Sequence, residues 1–289
     1  MVAKILDGKE IAASIEEEIT AETMELVEKY GVTPGLAVIL VGSDPGSQVY
    51  VNIKKKSSSR VAFHFEDYTL PDTAEEKEII ELIQRLNNEN RIHGILVQLP
   101  LPKHLDENRI ISAISPDKDV DGLHPVNAGK LLLKQEGFVA NTPAGILEIL
   151  RRSNIDVKGK DVVIVNRSKI VGRPLMALLI NNDATVTICH TKTRDIKAHT
   201  RRADILVVAV ATPKFVTADM VKEGAVVIDV GINRVEGKLC GDVDFEGVKE
   251  KASYITPVPG GVGPMTVVML MRNVLLAARQ SLKNNGCLS

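Results

Sequence analysis

The sequence predicts an α/β protein of two domains, built from parallel strands with helices on their faces. Three observations lead there. The chain has 289 residues, more than a usual single domain, and 44% of them are hydrophobic, enough for two cores. Its first third alternates amphipathic stretches with short apolar runs. Further on, four apolar runs recur at spacings of roughly 20 residues, the rhythm of a doubly wound domain.

Taken in order, residues 8–30 predict an amphipathic helix and residues 36–41 a buried strand ending at Gly42. The segment carrying Tyr50 and Lys54 predicts a helix, on which residues four apart share a face. Residues 73–90 predict another helix, and 94–99 a buried strand stopped by Pro100 and Pro102. Such alternation implies parallel pairing and puts Lys54 and Gln98 near the carboxyl ends of strands, where α/β sheets place ligands. A break follows at 141–145, where Thr142 predicts an N-cap with Pro143 at the first position of a helix over 143–153. Strands are expected at 161–165, 184–189, 205–209 and 225–230, and a last helix at about 265–283. The expected division is 1–140 with 268–289, and 141–267 as a doubly wound domain.

The bulk numbers exclude several classes. With 36 basic and 37 acidic residues and a net charge of -1, there is no nucleic-acid footprint and no polybasic membrane patch. Cys189, Cys240 and Cys287 are far apart and odd in number, which gives neither a disulfide framework nor zinc spacing. The six histidines form no metal-ligating pair, so no metal is expected. No signal core, transit peptide or apolar run of membrane length is read, so a cytoplasmic setting is expected.

Four segments carry chemistry. Residues 256–266, Thr256-Pro257-Val258-Pro259-Gly260-Gly261-Val262-Gly263-Pro264-Met265-Thr266, read as a stiff loop with exposed amides between ordered elements. Tyr50 offers a flat ring and Lys54 an ammonium that burial turns into a base. Val97-Gln98-Leu99 places an amide at the mouth of a strand. Asp117, Asp119 and Asp121 form an acidic turn that lacks the complete alternation of a calcium loop.

In this order the segments resemble one family, the bifunctional methylenetetrahydrofolate dehydrogenase/methenyltetrahydrofolate cyclohydrolases (FolD). The resemblance runs from Ile5-Leu6-Asp7-Gly8-Lys9 to the helix after Thr266. It implies an N-terminal α/β folate-binding and catalytic domain, a Rossmann-like domain, and a C-terminal helix that returns to the first. It also implies a homodimer and two reactions of one-carbon metabolism. NADP-dependent oxidation of 5,10-methylenetetrahydrofolate gives the methenyl cation, and hydrolysis then gives 10-formyltetrahydrofolate, which feeds purine biosynthesis. Lys54 is the expected base, Gln98 orients it, Tyr50 stacks on the folate or orients Lys54, and Asp121 pairs with the pterin edge. Val97, Leu99 and the run Pro259, Gly260, Gly261, Val262, Gly263, Pro264, Met265 and Thr266 are expected around the substrate.

Residues 166–174 are similar to the family's G-R-S-x-x-V-G-x-P turn, in which amides and a helix N-terminus approach a phosphate. Ser168 supplies a hydroxyl, and Gly172 allows close packing. Asn166 stands where the family has glycine. Asparagine tolerates positive φ, so the turn survives, but its side chain is expected to crowd the pyrophosphate. No carboxylate follows the second strand of this domain. Arg167, Arg173 and Thr191 are therefore expected on a 2′-phosphate, which favours NADP over NAD. Ile232 lies in a turn like the family's nicotinamide-side loop, and Ala140-Asn141 replaces the family's usual Pro-Cys. Three alternatives stay open: a dehydrogenase-only member, a cyclohydrolase whose dehydrogenase step is impaired through Asn166, and a non-catalytic folate- or nucleotide-binding regulator.

Overall fold

The structure, a computed structural model, describes residues 2–284. Cys287 therefore lies outside the described residues. The chain divides into two compact units, Met1–Ala13 with Ala140–Thr266, and Ser14–Val139 with Val267–Ser289. This differs from the sequence reading chiefly in the first residues. Strand β1 (Lys4–Ile5) is paired within the sheet of the 140–266 unit, and helix α1 (Gly8–Tyr30) begins there before entering the other unit.

The unit centred on 14–139 is built on a three-stranded parallel sheet. Strand β2 (Gly35–Val41) leads to helix α2 (Pro45–Arg60), strand β3 (His64–Leu70), helix α3 (Glu76–Asn87) and strand β4 (Gly94–Val97). The strand order is β3-β2-β4, so β2 is central, and every one of its residues is buried. Helix α2 starts where Asp44 accepts from the Ser47 N–H at 2.7 Å with Pro45 just inside. β3 is absent from the sequence reading. Its residues His64, Glu66 and Asp67 lack an apolar run, because an edge strand is only partly buried. Isoleucines and leucines of α3 pack with β2 and β4 in one core, joined by Ile110 of helix α4 (Glu107–Ser112). Helix α5 (Pro125–Leu132) follows.

In the other unit, helix α6 (Asn141–Arg152) precedes strand β5 (Asp161–Val165), helix α7 (Gly172–Asn181), strand β6 (Thr185–Cys189), helix α8 (Ile196–Thr200), strand β7 (Ile205–Val208) and strand β8 (Val226–Asp229). A hairpin of β9 (Asn233–Val235) and β10 (Lys238–Cys240), helix α9 (Phe245–Lys249), strand β11 (Tyr254–Ile255) and helix α10 (Val262–Asn284) complete the chain. The main sheet has six parallel strands in the order β1-β11-β8-β7-β5-β6. Valines, leucines and isoleucines of these strands fill its core.

Three local expectations are corrected. Thr142 does not cap α6, which starts at Asn141 behind Ala140; the Thr142 hydroxyl pairs with that of Thr266 at 2.9 Å. α10 starts at Val262, so the second half of the Pro/Gly run is its first turn, with Pro264 where no intrahelical N–H bond is needed. α10 is also long and apolar enough to cross a membrane by length and composition, although no such run was expected. However, 56% of that window is buried in the protein, as for a core helix. Its Asn273 donates to the carbonyls of Val120 and Val139, at 3.0 and 3.1 Å, within the 14–139 unit.

Candidate functional site

In the 14–139 unit, Lys54 and Gln98 meet at the carboxyl end of the sheet. Gln98 extends the ladder one residue past β4, its N–H bonding Ile39 O at 2.8 Å. Its side-chain Nε2 donates to Leu99 O at 2.7 Å, which turns Oε1 toward α2, where it accepts from Lys54 Nζ at 2.6 Å. Burial lowers the Lys54 pKa, and the Asp121 carboxylate opposes that fall. Gln98 is buried, and Lys54 is half-buried. Tyr50, one turn earlier on α2, is 44% exposed, so its ring is available to a ligand, and the partner holding Lys54 is Gln98.

The acidic turn splits into three environments. Asp117 is exposed, Asp119 is fully buried, and Asp121 is half-buried. Ile95 pairs with Asp119, which holds the turn beside β4. The Asp119 carboxylate accepts from the N–H groups of Leu123 and His124 and from Asn127 Nδ2, at 3.1, 2.9 and 2.8 Å. Burial pushes its pKa up to about 6, and those bonds work against the rise. Asp119 thus shapes the turn, while the charge of Asp121 acts on Lys54. Val97 belongs to the core, so it offers backbone and not side chain.

In the other unit, the turn after β5 is closed by side chains. Asn166 Oδ1 accepts from the N–H groups of Ser168 and Gly172 at 2.7 and 3.0 Å, and Nδ2 donates to Ala209 O at 2.5 Å. Asn166 is not among the residues with positive φ, so the turn does not draw on asparagine's tolerance of that region. The Ser168 hydroxyl accepts from the Val171 N–H at 3.1 Å. Gly172 is required as such, because a Cβ there would run into the Asn166 carbonyl. Arg167 in this turn and Arg173 at the start of α7 are exposed, and so are Thr191 after β6 and Ile232 after β8. An exposed guanidinium pair beside a turn at the carboxyl end of parallel strands fits a phosphorylated dinucleotide. Of the 256–266 run, Thr256, Gly260, Gly261, Val262 and Met265 are buried, and Met265 packs against Gly145; Pro259 and Gly263 are exposed.

Sequence reasoning missed two buried aspartates. Asp242 accepts from the N–H groups of Val210, Ala211 and Thr212 at 2.6, 3.0 and 2.8 Å, and from Asn233 Nδ2 at 2.8 Å. Asp229, at the end of β8, accepts from Gly231, Asp242 and Val243 N–H groups at 2.9, 3.0 and 2.9 Å. Burial, with Asp242 adding, pushes Asp229 up to about 6. These carboxylates fix the loops after β7 and β8. The available signal was a carboxylate ending an apolar strand just before glycine: a Cβ on Gly231 would strike Asp242. Among the described residues, no three His, Cys, Asp or Glu side chains are grouped to hold a metal ion.

Residues 6–121 match the model of the tetrahydrofolate dehydrogenase/cyclohydrolase catalytic domain, and 140–282 that of the NAD(P)-binding domain of the same name. The bifunctional protein FolD of Bacillus subtilis is 55% identical over 283 residues, 98% of this chain and 100% of its own length. That of Nautilia profundicola is 52% identical, over 96% of this chain and 98% of its own. Among solved structures, FolD of Campylobacter jejuni superposes with a TM-score of 0.95 at 48% identity, covering 97% of this chain and 100% of its own. FolD of Trypanosoma brucei, solved with NADP and an inhibitor, has a TM-score of 0.94 at 40% identity, covering 98% and 99%.

Proposed function

The chain belongs to the tetrahydrofolate dehydrogenase/cyclohydrolase family, and from that premise we propose a bifunctional enzyme of tetrahydrofolate one-carbon interconversion. It oxidises 5,10-methylenetetrahydrofolate with NADP to the 5,10-methenyl cation and hydrolyses that cation to 10-formyltetrahydrofolate. The observation that carries the hydrolytic half is the Lys54–Gln98 pair at 2.6 Å.

NADP supplies the hydride acceptor. No protein base need touch the hydride; the chain's contribution is to hold reactants in place, which lowers barriers by ~7–11 kcal/mol in well-oriented systems. Arg167, Ser168, Arg173 and Thr191 are proposed to hold the cofactor, with Ile232 on the nicotinamide side. Hydrolysis needs a proton removed from the attacking water. Lys54 does this as the neutral amine, toward which burial shifts its titration. Gln98 aims the amine without adding a charge that would hold its proton. Asp121 accepts N–H bonds from the pterin edge, and Tyr50 stacks on the ring system.

A homodimer, a cytoplasmic setting and delivery of formyl groups to purine biosynthesis belong to the same proposal and rest on the family resemblance. The test is absorbance of the purified protein with methylenetetrahydrofolate and either NADP or NAD. Reduction of NADP with only transient methenyl absorbance is expected. Methenyl product that accumulates without enzymatic decay would remove the hydrolytic half; no spectral change would leave a binding protein.

A further inference from the structure

In the six-stranded sheet the chain order reverses at β5, with β6 on one side and β7 on the other. The crevice at the carboxyl ends of β5 and β7 is where open α/β sheets accept ligands. Asn166 is the first residue past β5, and Ala209 the first past β7. The Asn166 side chain spans them. Nδ2 donates to Ala209 O at 2.5 Å, while Oδ1 takes N–H bonds from Ser168 and Gly172 at 2.7 and 3.0 Å.

The loop reached by Nδ2 continues through Val210, Ala211 and Thr212, whose N–H groups all bond the Asp242 carboxylate. Ala211 has a φ of +53°, a conformation that costs a non-glycine residue energy and persists only when its surroundings impose it. Asp242 holds that loop from one end and Asn166 from the other. Both acceptor positions of the Asn166 amide oxygen and one of its N–H groups are turned to backbone, not to open space.

We infer that Asn166 is a positioning residue for the dinucleotide: its amide shapes the β5–α7 turn and fixes that turn to the 209–212 loop across the switch point. The inference rests on the NADP-dependent reading above and deepens it. It also reverses the expectation drawn from the sequence, because a side chain bound on three sides to its own backbone does not stand in the pyrophosphate's path. Glycine here would leave the Ser168 and Gly172 N–H groups and the Ala209 carbonyl without this partner and give the turn more conformations to lose on binding.

The test is calorimetric titration of the full chain, as wild type, Asn166→Gly and Asn166→Asp, with NADP and separately with adenosine 2′-phosphate, which lacks the pyrophosphate and nicotinamide. Asn166→Asp keeps the size and the acceptor oxygen, loses the donor to Ala209 and serves if the glycine variant does not fold. Both variants are expected to raise the Kd for NADP by roughly tenfold or more, with a much smaller change for adenosine 2′-phosphate. NADP binding as tight as wild type in a folded variant would overturn the inference, and so would equal weakening of the two ligands. Wild-type protein that neither binds nor reduces NADP would instead overturn the dinucleotide reading itself.

Discussion

The Lys54 ammonium and the Gln98 amide oxygen meet at 2.6 Å although the residues are 44 apart in sequence. One stands on the third turn of α2, the other just past β4. A neutral oxygen aims the amine but does not hold its proton as a carboxylate would, which suits a group that must lose that proton to act.

Lys54→Met is expected to lower methenyltetrahydrofolate hydrolysis by ~10²–10⁴-fold, the usual worth of a positioned base. The fold should survive with a melting temperature at or above wild type. The sign follows from linkage: native Lys54 has a pKa below that of the unfolded chain, so the native state releases this proton first. Stability tied to Lys54 therefore rises with pH between the two values, and Met lacks that slope. Near-wild-type hydrolysis would remove Lys54 from its role.

Gln98→Glu places an anion on the same ammonium. In the wild type, burial lowers Lys54, so the enzymatic hydrolysis rate should rise with pH at values below the ~10.4 of a free lysine. In the variant, the carboxylate favours the ammonium and moves that rise to higher pH. The measurement is the pH–rate profile net of uncatalysed decay. Superimposable profiles would argue that Lys54 is not the titrating group.

Asp121→Asn should weaken folate binding by ~1.5–3 kcal/mol, the scale of a charge-assisted hydrogen bond, and leave NADP binding nearly intact. Comparison of the two dissociation constants decides it. Equal losses for both ligands would make Asp121 a structural residue.

Arg167→Ala should lower the NADP/NAD ratio of kcat/KM. The exposed guanidinium beside the β5–α7 turn is the group proposed for the 2′-phosphate. An unchanged ratio would move that contact to Arg173 or Thr191.

Asp242→Asn removes a buried charge that four donors share. The new amide would turn N–H groups against N–H groups. A loss of ~1–3 kcal/mol in stability and weaker NADP binding are expected, read by denaturant unfolding and titration. Wild-type stability would mean that the 210–212 loop is held by other contacts.

Much of the fold was legible because its signals are local. Apolar runs marked β2, β4 and the central strands of the six-stranded sheet, and amphipathic spacing marked α1 and α3. The alternation of helices and strands put Lys54 and Gln98 near the carboxyl ends of strands, but only the family resemblance joined them with Asp121, since nothing local links residues so far apart. The edge strand β3 and the short β1 and β11 carry too little apolar sequence to announce themselves; pairing alone makes them strands. The roles of Asp119, Asp229 and Asp242 were decided by tertiary structure, because a buried carboxylate is defined by donors from distant loops. Asn166 shows the same division. Its identity marks a departure at a glycine position, but whether its amide blocks a ligand or braces a turn depends on Ala209, 43 residues away, and only folding brings that carbonyl within a hydrogen bond.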